Sequence, residues 1–230
     1  NLVKQDLEKG DQILFCINRR GFAPYLICNK CGYKLICSNC SLYLTFHKIK
    51  NKAICHHCSS ERILKTKCKS KGICDYIMYG PGVEKIFEEV KETFPAEKIK
   101  IFSSDYLKTK EKTKNLFKEI KENKLSILVG TQMISKGFNF PKLNCIVVID
   151  ADFSGRGYDL RSTEKNIQLY HQLSGRAGRF SSRSLIIYQT LTPHDITLNE
   201  LIKNQSEELL KNELILRKKN RLPPFIRLIA

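Results

Sequence analysis

Short apolar runs alternate with longer amphipathic stretches along most of this 230-residue chain. The apolar runs predict buried strands at residues 12–17, 126–129 and 145–149, and two further strands are predicted at residues 98–102 and 185–189. The amphipathic stretches carry apolar residues on one helical face and predict four helices, at residues 83–94, 109–122, 161–174 and 195–218. Strands that alternate with helices in this way predict an α/β fold class, with a mostly parallel sheet covered on both faces.

Cysteines interrupt this pattern between residues 26 and 75. Three Cys-x2-Cys pairs occur here, and Cys68 begins a fourth segment: Cys28 and Cys31, Cys37 and Cys40, and Cys55 and Cys58. Two thiolates at this spacing reach one tetrahedral Zn²⁺ from a single tight turn, so the segment is predicted to be an inserted zinc-binding module. A disulfide framework is disfavoured because it is typical of small secreted domains and not of a large, lysine-rich α/β chain.

The chain is strongly basic, with 40 Lys and Arg against 23 Asp and Glu and a formal net charge of +17. Such an excess favours a polyanionic partner, above all nucleic acid. Lysine outnumbers arginine 29 to 11, however, and a lysine-rich proteome would produce the same bias. No apolar run approaches the roughly 18 residues of a membrane span, and the first residues lack a signal-peptide core. We therefore expect a cytoplasmic protein with no membrane partner.

Residues 172–179 read QLSGRAGR and place Arg176 and Arg179 where a predicted helix ends. Glycine lets the backbone approach a ligand closely, and arginine offers a planar, permanently charged fork that suits phosphate oxygens. A phosphoryl-transfer site needs such groups to stabilise charge on a γ-phosphate. A glycine–arginine loop that touches a nucleic-acid backbone explains these eight residues equally well.

Two further segments narrow the interpretation. Residues 130–137, GTQMISKG, follow a predicted strand at the edge where α/β sheets place ligands, and residues 18–21, NRRG, follow the first strand. With QLSGRAGR they resemble motifs IV, V and VI of superfamily 2 helicases. The cysteine segment before residues 80–84, GPGVE, and the run DLRSTE at 159–164 make the chain similar to the PriA family (primosomal protein N′) of replication-restart helicases, from about residue 5 to residue 230.

This resemblance implies an ATP-dependent 3′→5′ DNA helicase of which the chain is the second RecA-like lobe. It implies four regions: 1–25 for the start of the lobe, 26–76 for the zinc-binding module, 77–222 for the rest of the lobe, and 223–230 for the start of a further domain. The partners of the family are fork and single-stranded DNA, single-stranded-DNA-binding protein and other primosomal proteins. The competing hypothesis is a non-enzymatic zinc module that binds nucleic acid or protein, with the α/β lobe as its scaffold.

The resemblance also assigns roles to residues. Arg179 matches the arginine finger of the family, and Arg176 matches the phosphate-sensing arginine beside it. The matched nucleotide-binding positions are Gln172, Gly175, Gly82 and Glu84, and the matched DNA-coupling positions are Arg19, Arg20, Gly130, Thr131, Gln132 and Gly137. The sequence contains no G-x-x-x-x-G-K-[ST] loop and no D-E-x-H. We therefore expect ATP and Mg²⁺ to bind only together with a first lobe, and the chain alone to be inactive.

In the resembled family, the first and fourth cysteine pairs share an outer zinc ion, and the second and third pairs share an inner one. Carried over, one site is Cys37, Cys40, Cys55 and Cys58, and the second includes Cys28, Cys31 and Cys68. Lys71 occupies the position of the eighth cysteine, and its ammonium cannot ligate zinc unless it is deprotonated. Either Cys74 replaces that ligand, or the second site holds zinc weakly or not at all. His47, His56 and His57 are alternative ligands in principle. We expect two Zn²⁺ ions, the outer one more easily chelated.

Overall fold

The computed structural model describes residues 2–17, 23, 25–69, 72–107, 109–131, 140–152, 161–175, 184–194, 196–203 and 206–227. Within these residues the strands are β1 (Gln12–Ile17), β2 (Tyr25–Cys28), β3 (Thr45–His47), β4 (Lys52–Ile54), β5 (Glu61–Arg62), β6 (Tyr76–Tyr79), β7 (Ile99–Phe102), β8 (Ile127–Gly130), β9 (Leu143–Ile149) and β10 (Leu185–Tyr188). The helices are α1 (Leu2–Glu8), α2 (Val83–Thr93), α3 (Lys110–Lys121), α4 (Ser162–Ser174), α5 (Ile196–Ile202) and α6 (Ser206–Lys219).

Five of these strands form one parallel sheet in the order β10-β9-β1-β8-β7. The central strand is β1, where Ile13 pairs with Ile127 of β8 on one side and with Cys145 of β9 on the other. These are the five predicted strands, with ends that differ from the predicted ends by at most two residues. The prediction of an α/β fold with a parallel sheet is confirmed.

Alternate residues of each strand point to opposite faces of the sheet, and each face has its own apolar core. On one face, Leu14, Leu128 and Ile146 pack against helices α3 to α6, whose buried residues include Ile120, Tyr170, Leu173, Leu201 and Leu209. On the other face, Ile13, Ile127 and Val147 pack against α1 and α2, which contribute Val3, Leu7, Val83, Ile86 and Val90. Burial on both sides explains why the central strands β1 and β8 are almost continuously apolar, whereas the edge strand β7 carries the exposed Lys100.

Three predicted helices are confirmed as α2, α3 and α4, but the prediction of one long helix at residues 195–218 is wrong. The structure has α5 and α6 there, packed against each other. Asn204 and Ser206 lie between the two apolar stretches, and Asn and Ser favour helix ends over helix interiors. Two shorter helices let Leu201 and Leu209 reach the same core, while the Asn212 amide donates to the Glu200 carboxylate.

The cysteine-rich segment builds a small module on two antiparallel sheets. Strands β2 and β6 pair so that Tyr25 lies opposite Tyr79 and Cys28 opposite Tyr76, and strands β3, β4 and β5 form the second sheet. The module has an apolar core of its own, made of Ala23, Leu26, Leu35, Leu44, Phe46 and Ala53. Because β2 and β6 lie side by side, the segment enters and leaves the module at one place, between β1 and α2.

Two cysteines, Cys16 and Cys145, lie in the parallel sheet and are fully buried there. Burial raises the pKa of the Cys16 thiol to about 12 and that of Cys145 to about 11, so both thiols remain protonated at neutral pH. Across the residues that the structure describes, no helix combines the length and the apolar character that crossing a membrane requires.

The side chain of Gln12, in the central strand β1, forms hydrogen bonds with the backbone at the end of α3. Its side chain is 1% exposed, and its Nε2 donates to the carbonyl oxygens of Ile120, at 3.0 Å, and Leu125, at 3.1 Å. We expect Gln12→Ala to lower the free energy of unfolding by roughly 1–3 kcal/mol, because the Leu125 carbonyl loses the Gln12 amide as a donor and the Ile120 carbonyl keeps only backbone N–H donors such as that of Asn123. Urea denaturation with an unchanged m-value would measure this loss.

The matched control is Gln168→Ala, since Gln168 lies on the exposed side of α4. We expect this control to change the free energy of unfolding by less than about 0.5 kcal/mol. An equally small effect of Gln12→Ala would contradict the role given to the Gln12 amide.

Candidate functional site

Four cysteine sulfurs from the second and third Cys-x2-Cys pairs, here called knuckles, lie close together in the module. Cys37 Sγ is 3.5 Å from Cys58 Sγ, and Cys40 Sγ is 3.4 Å from Cys55 Sγ and 3.8 Å from Cys58 Sγ. All four lie within 4.8 Å of one another. Four sulfurs bound tetrahedrally to Zn²⁺ at about 2.3 Å are separated by about 3.8 Å. The inner cluster (Cys37, Cys40, Cys55 and Cys58) therefore fits one zinc ion.

A second cluster joins the first and fourth cysteine segments. The outer cluster consists of Cys28, Cys31, Cys68 and Cys74, whose sulfurs also lie within 4.8 Å of one another, with Cys28 Sγ 3.9 Å from Cys68 Sγ. The structure thus brings Cys74 to the place of the ligand that the fourth segment lacks. Lys71 lies outside the described residues. The outer cluster offers four thiols, and its donor set fits zinc as well as the inner one does.

One turn geometry recurs at every cysteine segment. The fourth residue after the leading cysteine has a positive φ in each case: Gly32 at 67°, Ser41 at 57°, Ser59 at 60° and Gly72 at 72°. In the first three turns, the N–H of this residue donates to the carbonyl of the leading cysteine, at 2.8 to 3.1 Å. The fourth turn closes differently, because Cys68 N–H donates to Gly72 O and Cys74 N–H donates to Thr66 O, both at 2.8 Å.

The thiols are not equivalent in their acidity. Contact with the Ser60 hydroxyl, 3.0 Å from Cys37 Sγ and 3.3 Å from Cys58 Sγ, lowers the pKa of Cys37 to about 6 and lowers that of Cys58 as well. Burial works against ionisation of Cys28, but hydrogen bonds from the N–H groups of Cys31 and Lys30 outweigh it and bring its pKa to about 6. Each cluster therefore has a thiolate available at neutral pH to begin metal binding.

The module touches the α/β lobe through Glu84, the second residue of α2. Its carboxylate is buried, with Oε1 at 3.2 Å from His47 Nδ1 and Oε2 accepting the N–H of Lys48 at 3.0 Å. His56 Nε2 lies 3.1 Å from His47 Nε2, whereas His57 is exposed and belongs to no group of metal-ligating side chains among the described residues. None of the three histidines lies in either cysteine cluster.

The other predicted site residues divide into those that the structure describes and those that lie outside it. Gly82 precedes α2 as its N-cap, Gly175 is the C-cap of α4, and Gln172 is exposed one turn before it. Gly130 ends β8, and Thr131 follows it, buried. Arg19, Arg20, Gln132, Gly137, Arg176 and Arg179 lie outside the described residues.

The carboxyl ends of β1, β8, β9 and β10 meet at one edge of the parallel sheet, since all four strands run in the same direction. Residues 18–21 follow β1, which ends at Ile17, and residues 130–137 begin at Gly130, the last residue of β8. Residues 172–179 begin in the last turn of α4. A cleft of about 490 Å³ lies near this edge, lined by residues that include Tyr79, Pro81, Asp150 and Gln189. Ligand sites of α/β sheets occur at this kind of edge.

Asp152 holds this edge together and was not identified as a site residue from the sequence. Its carboxylate accepts hydrogen bonds from the Thr190 hydroxyl at 2.5 Å, the Thr192 hydroxyl at 2.6 Å and Leu191 N–H at 3.0 Å. Partial burial would raise the pKa of Asp152, but these bonds lower it to about 2. The carboxylate is thus a permanent acceptor that ties the segment after β9 to the segment after β10.

Two residues that Cys-x2-Cys spacing did not reveal support the module, one from within it and one from α2. Ser60 contacts two cysteines of the inner cluster, and Glu84 joins the module to α2. A serine two residues after a cysteine was a visible signal for the first. No sequence signal pointed to the second, because His47 and Glu84 are separated by 37 positions along the chain.

Two protein-family models match parts of this chain. The model of the helicase conserved C-terminal domain family matches residues 50–181, and that of the PriA DNA helicase Cys-rich region (CRR) domain matches residues 37–62. Among solved structures, the chain is similar to the DUF1998 helicase MrfA bound to DNA, with a TM-score of 0.42 and 14% identity over 91% of this chain and 18% of that one. The Pyrococcus furiosus Hef helicase domain gives a TM-score of 0.39 and 14% identity, over 86% and 26%.

Curated relatives match the chain along nearly its whole length. Replication restart protein PriA of Rickettsia conorii is 38% identical over 97% of this chain and 35% of its own length. The proteins of the same name from Haemophilus influenzae and Bacillus subtilis are 35% and 30% identical over 97% of this chain, and the match spans 30% and 28% of their lengths. The chain thus spans about a third of the relatives that it matches. It belongs to the helicase conserved C-terminal domain family, in the form that carries the PriA cysteine-rich region.

Proposed function

We propose that this chain is the second motor lobe of an ATP-dependent 3′→5′ DNA helicase that acts in replication restart. The proposal depends on one combination of features in a single chain. A parallel sheet and the helicase motif segments occur together with two four-cysteine clusters, which are inserted after β1. The relatives named replication restart protein PriA share this chain over 97% of its length, which supports the same role. A scaffold that only presented a zinc module would not require the motif segments.

In this proposal, Arg176 and Arg179 face a nucleotide bound mainly by a first lobe. ATP and Mg²⁺ are held by that lobe, and Arg179 stabilises the charge that develops on the γ-phosphate while Arg176 senses the phosphate beside it. Gln172, Gly175 and Gly82 border the same nucleotide, whereas the Glu84 carboxylate, to which the resemblance gives the same role, is buried against His47 and the N–H of Lys48. The chain alone then has one wall of the ATP site and is expected not to hydrolyse ATP.

DNA runs across the lobe along the segments that follow the strands. Arg19, Arg20, Gly130, Thr131, Gln132 and Gly137 couple the nucleotide state to the grip on the strand. The net charge of +17 supports contact with a phosphate backbone. Single-stranded-DNA-binding protein and other primosomal proteins are the proposed protein partners, and the cytoplasm is the proposed compartment.

The cysteine module is proposed to bind two Zn²⁺ ions, one in each cluster. Residues 28–74 carry ten basic residues and one acidic residue, a formal charge of +9. This charge falls to about +5 once each cluster binds zinc through four thiolates and contributes −2. The filled module is then a rigid, positive projection beside the DNA track, which suits contact with phosphates where a duplex separates.

Arg179→Ala tests the motor role in a protein in which the chain is joined to a first lobe. We expect kcat for ATP hydrolysis to fall roughly 10³-fold, because the arginine finger stabilises only the transition state, while single-stranded DNA affinity remains near normal. Steady-state hydrolysis and fluorescence anisotropy measure the two quantities. Arg227→Ala is the control, since Arg227 is exposed and lies outside every motif segment. If DNA affinity fell and hydrolysis survived, the loop would instead be a clamp on the DNA backbone.

Binding of the chain to single-stranded DNA should depend steeply on salt. Release of counterions from the phosphates predicts a loss of roughly 10³-fold in affinity between about 50 and about 200 mM salt, with little preference for sequence. Titrations with two oligonucleotides of different composition at several salt concentrations measure both effects. A flat response to salt would point away from phosphate contacts and toward a protein as the main partner.

Zinc stoichiometry tests the two clusters. We expect two ions to resist a mild chelator wash in the unaltered chain, Cys74→Ser to lose the outer ion alone, and Cys58→Ser to lose the inner ion together with much of the fold of the module. Metal analysis and circular dichroism follow both. Cys145→Ala is the control because Cys145 lies in the sheet, away from both clusters. Two tightly held ions in Cys74→Ser would remove Cys74 from the ligands.

A further inference from the structure

A third set of metal-ligating side chains lies where the cysteine module meets the α/β lobe. It consists of His47, at the end of β3, His56, in the turn of the third knuckle, and Asp105, in the turn after β7. One ligand atom from each residue lies within 4.8 Å of the others. Two of these residues come from the module and one from the lobe, so anything that binds all three joins the two parts.

The spacing of the two imidazoles suits a shared cation. His47 Nε2 and His56 Nε2 are 3.1 Å apart. A metal ion bound to both nitrogens at 2.0–2.1 Å would subtend an angle of about 98° between them, which lies between octahedral and tetrahedral geometry. The two rings are inclined by 63° with centroids 5.0 Å apart, so they approach through their edges and do not stack face to face.

A buried carboxylate fixes the orientation of His47. His47 is 2% exposed and Glu84 is 6% exposed, and Glu84 Oε1 lies 3.2 Å from His47 Nδ1. Glu84 Oε2 accepts the N–H of Lys48 at 3.0 Å, which holds the carboxylate in place. A proton on Nδ1 leaves the lone pair of Nε2 directed at His56. Metal-binding histidines in proteins have this kind of carboxylate partner behind the ring.

Asp105 supplies the observation that hydrogen bonding alone does not explain. Its Oδ2 atom is buried and, among the residues that the structure describes, has no hydrogen-bond partner. A buried carboxylate oxygen without a partner costs free energy, because the charge has lost its water and gained nothing in exchange. A divalent cation in contact with Asp105 removes that cost.

We propose that His47, His56 and Asp105 bind a third divalent cation, separate from the two cysteine clusters, with Glu84 as the group that orients His47. Two imidazoles and one carboxylate prefer Zn²⁺ or another first-row transition ion over Mg²⁺ or Ca²⁺. Water completes the coordination. The cation fixes the module to the turn after β7 and so sets the direction in which the module projects from the lobe.

The competing explanation is a metal-free hydrogen bond. Two neutral imidazoles can face each other at 3.1 Å when one nitrogen donates and the other accepts. This arrangement requires no cation and leaves the buried Asp105 Oδ2 atom without a hydrogen-bond partner among the described residues. The two explanations differ in the uptake of metal beyond the cysteine clusters.

The experiment uses the full chain with Zn²⁺ alone as the probe. Equilibrium dialysis at increasing buffered concentrations of free Zn²⁺ should show one ion taken up after the cysteine clusters are full. Asp105→Asn and His56→Ala should each lose that ion and keep the earlier ones. Asp105→Asn retains the shape of the side chain, and His56 is exposed, so neither change should unfold the module. His57→Ala, a neighbouring exposed histidine outside the set, should keep every ion.

Co²⁺ in place of Zn²⁺ separates the sites by their spectra. The intense thiolate-to-cobalt bands of the cysteine clusters should be the same in the unaltered chain and in Asp105→Asn, while the weaker absorption of the last ion bound should disappear in the variant. Equal metal uptake by the unaltered chain, Asp105→Asn and His56→Ala would overturn the proposal and leave a hydrogen bond between the histidines. Loss of the same ion in His57→Ala would overturn it as well.

Discussion

The antiparallel pairing of Tyr25–Cys28 with Tyr76–Tyr79 is the interaction on which both parts of the chain depend. It brings together the two ends of a segment that would otherwise separate β1 from α2, so the parallel sheet forms as though the segment were absent. The same pairing places Cys28 opposite Tyr76, two residues after Cys74. The outer cluster therefore lies at the base of the module, where the chain enters and leaves it.

The module is too small to be stabilised by its apolar core alone. Six residues, from Ala23 to Ala53, form most of that core, and small domains of this kind usually need a metal or disulfides. The repeated turns with positive φ point the thiols of neighbouring segments toward one another. We therefore expect zinc binding and folding of the module to be one process, in a module whose five strands are each only two to four residues long.

The contact between module and lobe is electrostatic where most of the fold is apolar. Glu84 is a member of α2, whose other buried residues pack on the sheet, yet its carboxylate faces His47 and the N–H of Lys48 in the module. Paired buried groups of this kind have a strict geometry, because a displaced partner leaves the other charge unsatisfied. Among the residues that the structure describes, this contact and the neighbouring Lys48–Glu88 ion pair fix the direction of the basic module relative to the lobe.

Local pattern determined much of this protein. Continuous apolar runs identified the central strands β1, β8 and β9, which are buried on both faces of the sheet, and Cys-x2-Cys spacing identified the cysteine pairs. Both signals lie within a few neighbouring residues. The single helix predicted at residues 195–218 failed because packing of Leu201 and Leu209 into one core outweighed helical periodicity. The position of Cys74 beside Cys28, and of His47 beside Glu84 and Asp105, was decided only by the tertiary structure. These contacts join residues that are distant along the chain, and the local sequence around each residue does not predict which distant residue it will contact.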